Sequence, residues 1–131
     1  MDLKFPTWER LKKQKLIQQL FTQKQSLGAF PLRLFWLELP KDTESATDFL
    51  LETTFSVPKK KFKRANRRNK IKRQMREIYR IHRLPLLELL KNQNRKLICL
   101  WFYGGDQMPE FDFLKTKMLY LLDKITQQFR K

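Results

Sequence analysis

Asn69, Arg73, Arg76 and Arg80 recur at i, i+4, i+7 and i+11. On a helix, at about 100° per residue, that spacing puts them in one line. Lys72 flanks the line, and Arg64, Arg68 and Lys70 stand at its N-terminal end. A row of guanidinium forks matches phosphate oxygens in pairs, so the chemistry on offer is polyanion binding. Lys59 and Lys60, in the Lys59-Lys60-Lys61-Phe62-Lys63-Arg64 run, extend the charge toward the helix N-terminus, itself an anion site. Surface helices usually interleave acids for i,i+4 pairing, but Glu77 is the single acid in this stretch.

Groups able to cut a bond are scarcer. His82 is the only histidine and falls on the apolar side of the same helix, as a packed histidine would. Cys99 is the only cysteine, so neither an internal disulfide nor a cysteine-rich zinc site is expected. It lies inside an apolar run and reads as core. Asp106, Glu110 and Asp112 crowd a turn and a helix start, where acids are ordinary. Two-metal nucleases need carboxylates held in a packed site. No Gly-rich phosphate loop is present. The residues predict binding without protein-borne catalysis.

The elements that must hold the cationic row follow from periodicity. Trp8 to Thr22 reads as an amphipathic N-terminal helix with Thr7 as its cap. Gly28 and Pro31 break the pattern, and Leu32 to Leu39 suits a strand. Arg33, Phe35 and Leu37 share one face of it. Pro40 to Thr47 is a polar loop. Asp48 to Val57 alternates as a strand with Phe49, Leu51, Thr53, Phe55 and Val57 on one face. Asn66 to His82 is the basic helix, capped by Asn66, with Ile71, Met75, Ile78 and His82 as its core stripe. Leu84 to Asn92 is a further short helix, and Leu97 to Tyr103 a buried strand before Gly104-Gly105. Glu110 to Phe129 is a closing helix with Phe113, Met118, Leu121, Leu122 and Ile125 on or near its buried stripe. Residues 1–131 are expected to form one α/β (α+β) domain, a mixed sheet layered against helices.

The composition agrees. Of 131 residues, 29 are Lys or Arg and 13 Asp or Glu, a net charge of +16. Residues 59–80 carry 12 basic and 1 acidic side chains, so the charge is a patch and not a coat. Such a field collects polyanions. The chain is 41% hydrophobic and 13% aromatic, which excludes a disordered tail. The longest apolar run, Leu97 to Tyr103, is far short of the ~20 residues that span a bilayer. The first residues show no secretory pattern. A reduced, soluble, intracellular protein is expected. A DNA-binding dimer would show zipper heptads, and a membrane-surface helix needs a wider apolar face than Ile71, Met75 and Ile78 supply. A structural, ribosomal-type RNA-binding protein shares most of these features and stands as the alternative.

The segment Phe55-Ser56-Val57-Pro58-Lys59-Lys60, followed by Arg68-Asn69-Lys70-Ile71-Lys72-Arg73-Gln74-Met75-Arg76-Glu77, resembles bacterial ribonuclease P protein subunits. In that family a strand and a Lys-Lys loop lead into an Arg-Asn-Arg motif continued as x-Lys-Arg-x-x-Arg-Glu. Arg68, Asn69, Lys72, Arg73, Arg76 and Glu77 match position by position; Lys70 stands where the family has arginine. Asn66 replaces an apolar residue, and the preceding loop is one residue longer. Arg10-Leu11-Lys12-Lys13, then Ile17 and Phe21, resemble the family's first helix, with Ile17 in place of the usual Phe.

The resemblance implies one α/β (α+β) domain, a two-layer sandwich of sheet and helices. The basic helix would lie in a left-handed crossover between parallel strands, which periodicity alone would not suggest, since crossovers are normally right-handed. It implies two partners, a catalytic RNA and precursor tRNA, with no obligatory protein partner. The RNA would perform the Mg2+-dependent hydrolysis that frees the mature tRNA 5′ end and would hold most of the metal. Lys59, Lys60, Arg64, Arg68, Asn69, Lys70, Lys72, Arg73, Arg76 and Arg80 would meet RNA. Lys12, Lys13, Ile17, Phe21, Arg33 and Phe35 would line a cleft for the 5′ leader, combining cations with aromatic faces as single-strand sites do. No membrane or DNA partner is implied, and the location would be the bacterial cytoplasm.

Overall fold

The computed structural model describes residues 25–39 and 50–130. The expected N-terminal helix and the loop from Pro40 to Thr47 lie outside them. The elements run β1 (Ser26–Ala29), β2 (Leu32–Leu39), β3 (Leu51–Ser56), α1 (Ala65–His82), α2 (Leu84–Gln93), β4 (Lys96–Tyr103) and α3 (Phe111–Phe129). The strands form one sheet in the order β1-β2-β4-β3. β2 is antiparallel to both β1 and β4, whereas β3 and β4 run parallel. Parallel neighbours cannot be joined by a tight turn, so α1 and α2 fill the crossover between them.

Alternation along β2 divides the sheet's two faces. Leu32, Leu34 and Trp36 point into the main core, while Arg33, Phe35 and Leu37 point the other way. β4 is central and buried on both faces, which explains its unbroken apolar run. Leu97, Cys99, Trp101 and Tyr103 join the main core; Ile98 and Leu100 join a smaller cluster with Leu39. β1 was hidden in the sequence by Gly28, which reads as a breaker yet lies within the strand. A Cβ at Gly28 would come within 3.0 Å of Arg33 Nη2, so the glycine leaves room for that guanidinium to lie across β1.

The basic helix is one residue longer than expected and differently capped. Arg64 occupies the cap position, and no side chain caps the helix. Asn66 sits exposed in the first turn instead. Ile71, Met75 and Ile78 are buried as expected, and Tyr79 joins them. The Thr53 hydroxyl donates to the Tyr79 hydroxyl at 2.6 Å, a buried tie between β3 and α1. Each fully buried Ile or Met contributes on the order of 1.5–3 kcal/mol, so the core stripe fixes the helix's rotation and turns its opposite side to solvent.

α3 packs on α1, α2 and β1. Its buried side is Leu114, Met118, Leu121, Leu122, Ile125 and Phe129. Phe113, expected at that stripe, is 46% exposed; Leu114, next in the chain, takes the core position. The far end of α3 is anchored at Phe129, whose ring packs T-shaped with Trp36, 5.4 Å between centres, and has the Arg95 guanidinium 4.4 Å from its centre. Arg95 is held in turn by Glu38, 2.8 Å from its Nε.

Candidate nucleic-acid interface

α1 exposes Asn69, Lys70 and Arg73, with Lys72, Arg76 and Arg80 half-buried beside them. Its first turn contains no acid. The outward row is therefore cationic, but its members are not alike. Arg76 lies 5.9 Å from the centre of the Phe55 ring at the end of β3. Arg80 forms an ion pair with Glu77 one turn back, at 2.5 Å. That hydrogen bond, more than the charge itself, holds the Glu77 carboxyl below its usual range. The single acid of the stretch thus partly neutralises the last arginine of the row.

Arg68 also ties down the loop that precedes the helix. Its Nη1 donates to the carbonyl oxygens of Phe62 at 2.6 Å and Lys63 at 3.0 Å. Phe62 is buried against the Tyr103 ring, 6.1 Å between centres. Lys61 Nζ donates to the Gly104 carbonyl at 3.2 Å. One buried ring, one arginine clasp and one lysine tie therefore shape the basic loop and leave Lys59, Lys60, Lys63 and Arg64 exposed on it. Arg68 orders the cations around it.

A second feature lies on the sheet face turned away from α1. A cleft of about 530 Å3 is lined by Gly28, Phe30, Pro31, Leu32, Arg33, Phe35, Phe102 and Gly104. Arg33 pairs across the sheet with Phe102, and Phe35 with Leu100. Arg33 Nη1 donates to Ser26 Oγ at 2.9 Å, which lays the guanidinium along β1. Arg33 and Phe35 thus meet in one hollow, as expected. Phe30 and Phe102 were missed: one reads as a turn residue, the other as part of an apolar run, and only the strand register shows that Phe102 lies beside Arg33. Lys12, Lys13, Ile17 and Phe21 lie outside the described residues. The basic loop reaches the cleft's edge, since Gly104 lines the cleft and accepts from Lys61.

The candidate catalytic groups do not converge. Cys99 is fully buried and its thiol is pushed far up by desolvation. His82 is half-buried, and burial followed by the nearby Lys115 charge lowers its pKa. Asp106, Glu110 and Asp112 are exposed. Among the described residues no three His, Cys, Asp or Glu side chains gather as a metal site would require.

Solved structures share this fold. One is the Staphylococcus aureus RNase P protein, with a TM-score of 0.68, 19% identity, and coverage of 89% of this chain and 94% of that one. Another is a mutant of the S. aureus RNase P protein with defective mRNA degradation activity, with a TM-score of 0.66, 18% identity, and coverage of 89% and 87%. No curated protein matches the sequence. The family model for Ribonuclease P matches residues 5–125. With the motif helix, the mixed sheet and a match over nearly the whole chain in agreement, the protein belongs to the ribonuclease P protein family, subunits of a tRNA-processing ribonuclease with an RNA partner.

Proposed function

We propose that this chain is the RNA-binding, non-catalytic subunit of a bacterial ribonuclease P. The observation that carries the reading is the pairing of two surfaces through the Lys59–Arg64 loop. One is the cationic side of α1; the other is the cleft that holds Arg33, Phe35 and Phe102. Lys59, Lys60, Arg64, Asn69, Lys70, Lys72, Arg73 and Arg76 contact the catalytic RNA, as phosphate-positioning groups. Arg80 contributes less, being shared with Glu77. Arg68 acts by shaping the loop. The cleft takes the unpaired 5′ leader of precursor tRNA, with Phe35 and Phe102 as stacking faces and Arg33 on a phosphate.

The hydrolysis is assigned to the RNA. Mg2+ binds oxygen ligands, often phosphates, and keeps its waters. The ion is assigned to the phosphates of the RNA partner. The protein then raises the affinity for substrate and for metal without supplying a reacting group. A bacterial cytoplasmic location follows from this role.

Reconstitution tests the proposal. The purified chain is mixed with a bacterial ribonuclease P RNA and precursor tRNA at physiological magnesium. Cleavage at the mature 5′ end should rise over RNA alone. No stimulation, with the chain bound to the RNA, would leave a structural RNA-binding role in its place.

A further inference from the structure

Along α3, Phe113, Lys117, Tyr120 and Lys124 recur at i, i+4, i+7 and i+11, one line on the helix. Phe113 is 46% and Tyr120 51% exposed, so neither ring is needed in the core. Lys117 Nζ sits 5.4 Å from the centre of the Phe113 ring, and Lys124 Nζ 5.5 Å from that of Tyr120. Neither lysine has an acid three or four residues away; the acids of α3, Asp112 and Asp123, lie on another flank. Asp123 accepts from Gln127 Nε2 at 2.9 Å. The line is an alternation of exposed rings and cations.

It also connects to the cleft. A hollow of about 330 Å3 lies between the β1–β2 turn and the start of α3, lined in part by Phe30, Pro31, Met108, Pro109 and Phe113. Phe30 and Pro31 line the leader-face cleft as well, and Phe30 is 80% exposed at the turn between them. Asp106 and Glu110 also border this hollow, so it repels phosphates and favours an uncharged base face.

We propose that Phe30 and the Phe113–Lys117–Tyr120–Lys124 line form a second single-stranded RNA surface, continuous with the cleft around the β1–β2 turn. Bases stack on the open faces of the rings, while the lysines neutralise the phosphates. Phe113 and Tyr120 are two turns apart, about 10.5 Å, or roughly three stacked base steps. The chain's net charge of +16 favours a polyanion over a basic or neutral peptide at this site.

The test uses the full chain and fluorescein-labelled octauridylate, read by anisotropy. All variants are built on Phe35→Ala with Phe102→Ala, so neither stacking face of the leader cleft contributes and the outcome is separate from that of the cleft. Phe113→Ala with Tyr120→Ala should weaken binding at least tenfold. Phe113→Tyr with Tyr120→Phe, which keeps both rings, should not. Lys117→Ala with Lys124→Ala should flatten the slope of log affinity against log salt by about 1.4. A 4-thiouridine oligonucleotide should cross-link at Phe113 or Tyr120. Unchanged affinity in the double-alanine chain overturns the proposal. So does an equal loss for polyphosphate, which has no bases, or a loss confined to anionic vesicles.

Discussion

Arg68 Nη1 lies 2.6 Å from the carbonyl oxygen of Phe62, so the first arginine of the motif folds back onto its own loop. The contact joins two effects. A charged donor satisfies a backbone acceptor left open at the helix start, and the buried Phe62 ring is held where Tyr103 meets it. Four other cations of the loop are displayed as a consequence.

Arg68→Ala should therefore lower stability by about 1.5–3 kcal/mol, the range for a hydrogen bond to a charged group. It should also weaken RNA binding by more than Arg73→Ala does, although both remove one charge. Urea denaturation and filter binding measure the two quantities. Equal binding losses would place Arg68 directly on a phosphate.

Phe35→Ala and Phe102→Ala should each weaken precursor tRNA binding about tenfold, since base–aromatic stacking contributes about 1–3 kcal/mol per base. Mature tRNA lacks the leader, so its binding should barely change. Equal losses for both substrates would remove the leader from the cleft.

Glu77→Gln releases Arg80 from its ion pair. The pair is at the surface, so stability should change by no more than about 1 kcal/mol. Affinity for the RNA should rise at low salt, and the salt slope should steepen by up to about 0.9 for one more neutralised phosphate. An unchanged slope would show that Arg80 points away from the RNA.

His82 supplies a pH dependence. Its folded pKa is lowered, first by burial and then by Lys115, so the folded chain binds the proton less readily than the unfolded chain. Its contribution is intact above the ordinary histidine value and declines as pH falls below about 6.5. Thermal melts between pH 7.5 and 5 should show a decline that His82→Gln flattens and Lys115→Gln reduces. A slope unaffected by His82→Gln would assign the dependence to other groups.

Much of this molecule was written in local pattern. The core stripe Ile71, Met75 and Ile78, the bounds of β2 and the burial of Cys99 follow from spacing alone, because side-chain direction repeats at about 3.6 residues on a helix and every second residue on a strand. The cationic side of α1 was legible for the same reason: its residues are neighbours in the chain. What lay beyond the pattern was decided by contacts between distant residues. β1 exists through its antiparallel pairing with β2, and Gly28 leaves room there for the Arg33 guanidinium. Phe102 becomes a cleft residue only through its register with Arg33. Phe113 is exposed because the rotation of α3, set by its whole buried face, gives the core position to Leu114. Arg68 and Arg73 look equivalent in a string of cations; the fold brings the first onto the Phe62 and Lys63 carbonyls and leaves the second exposed.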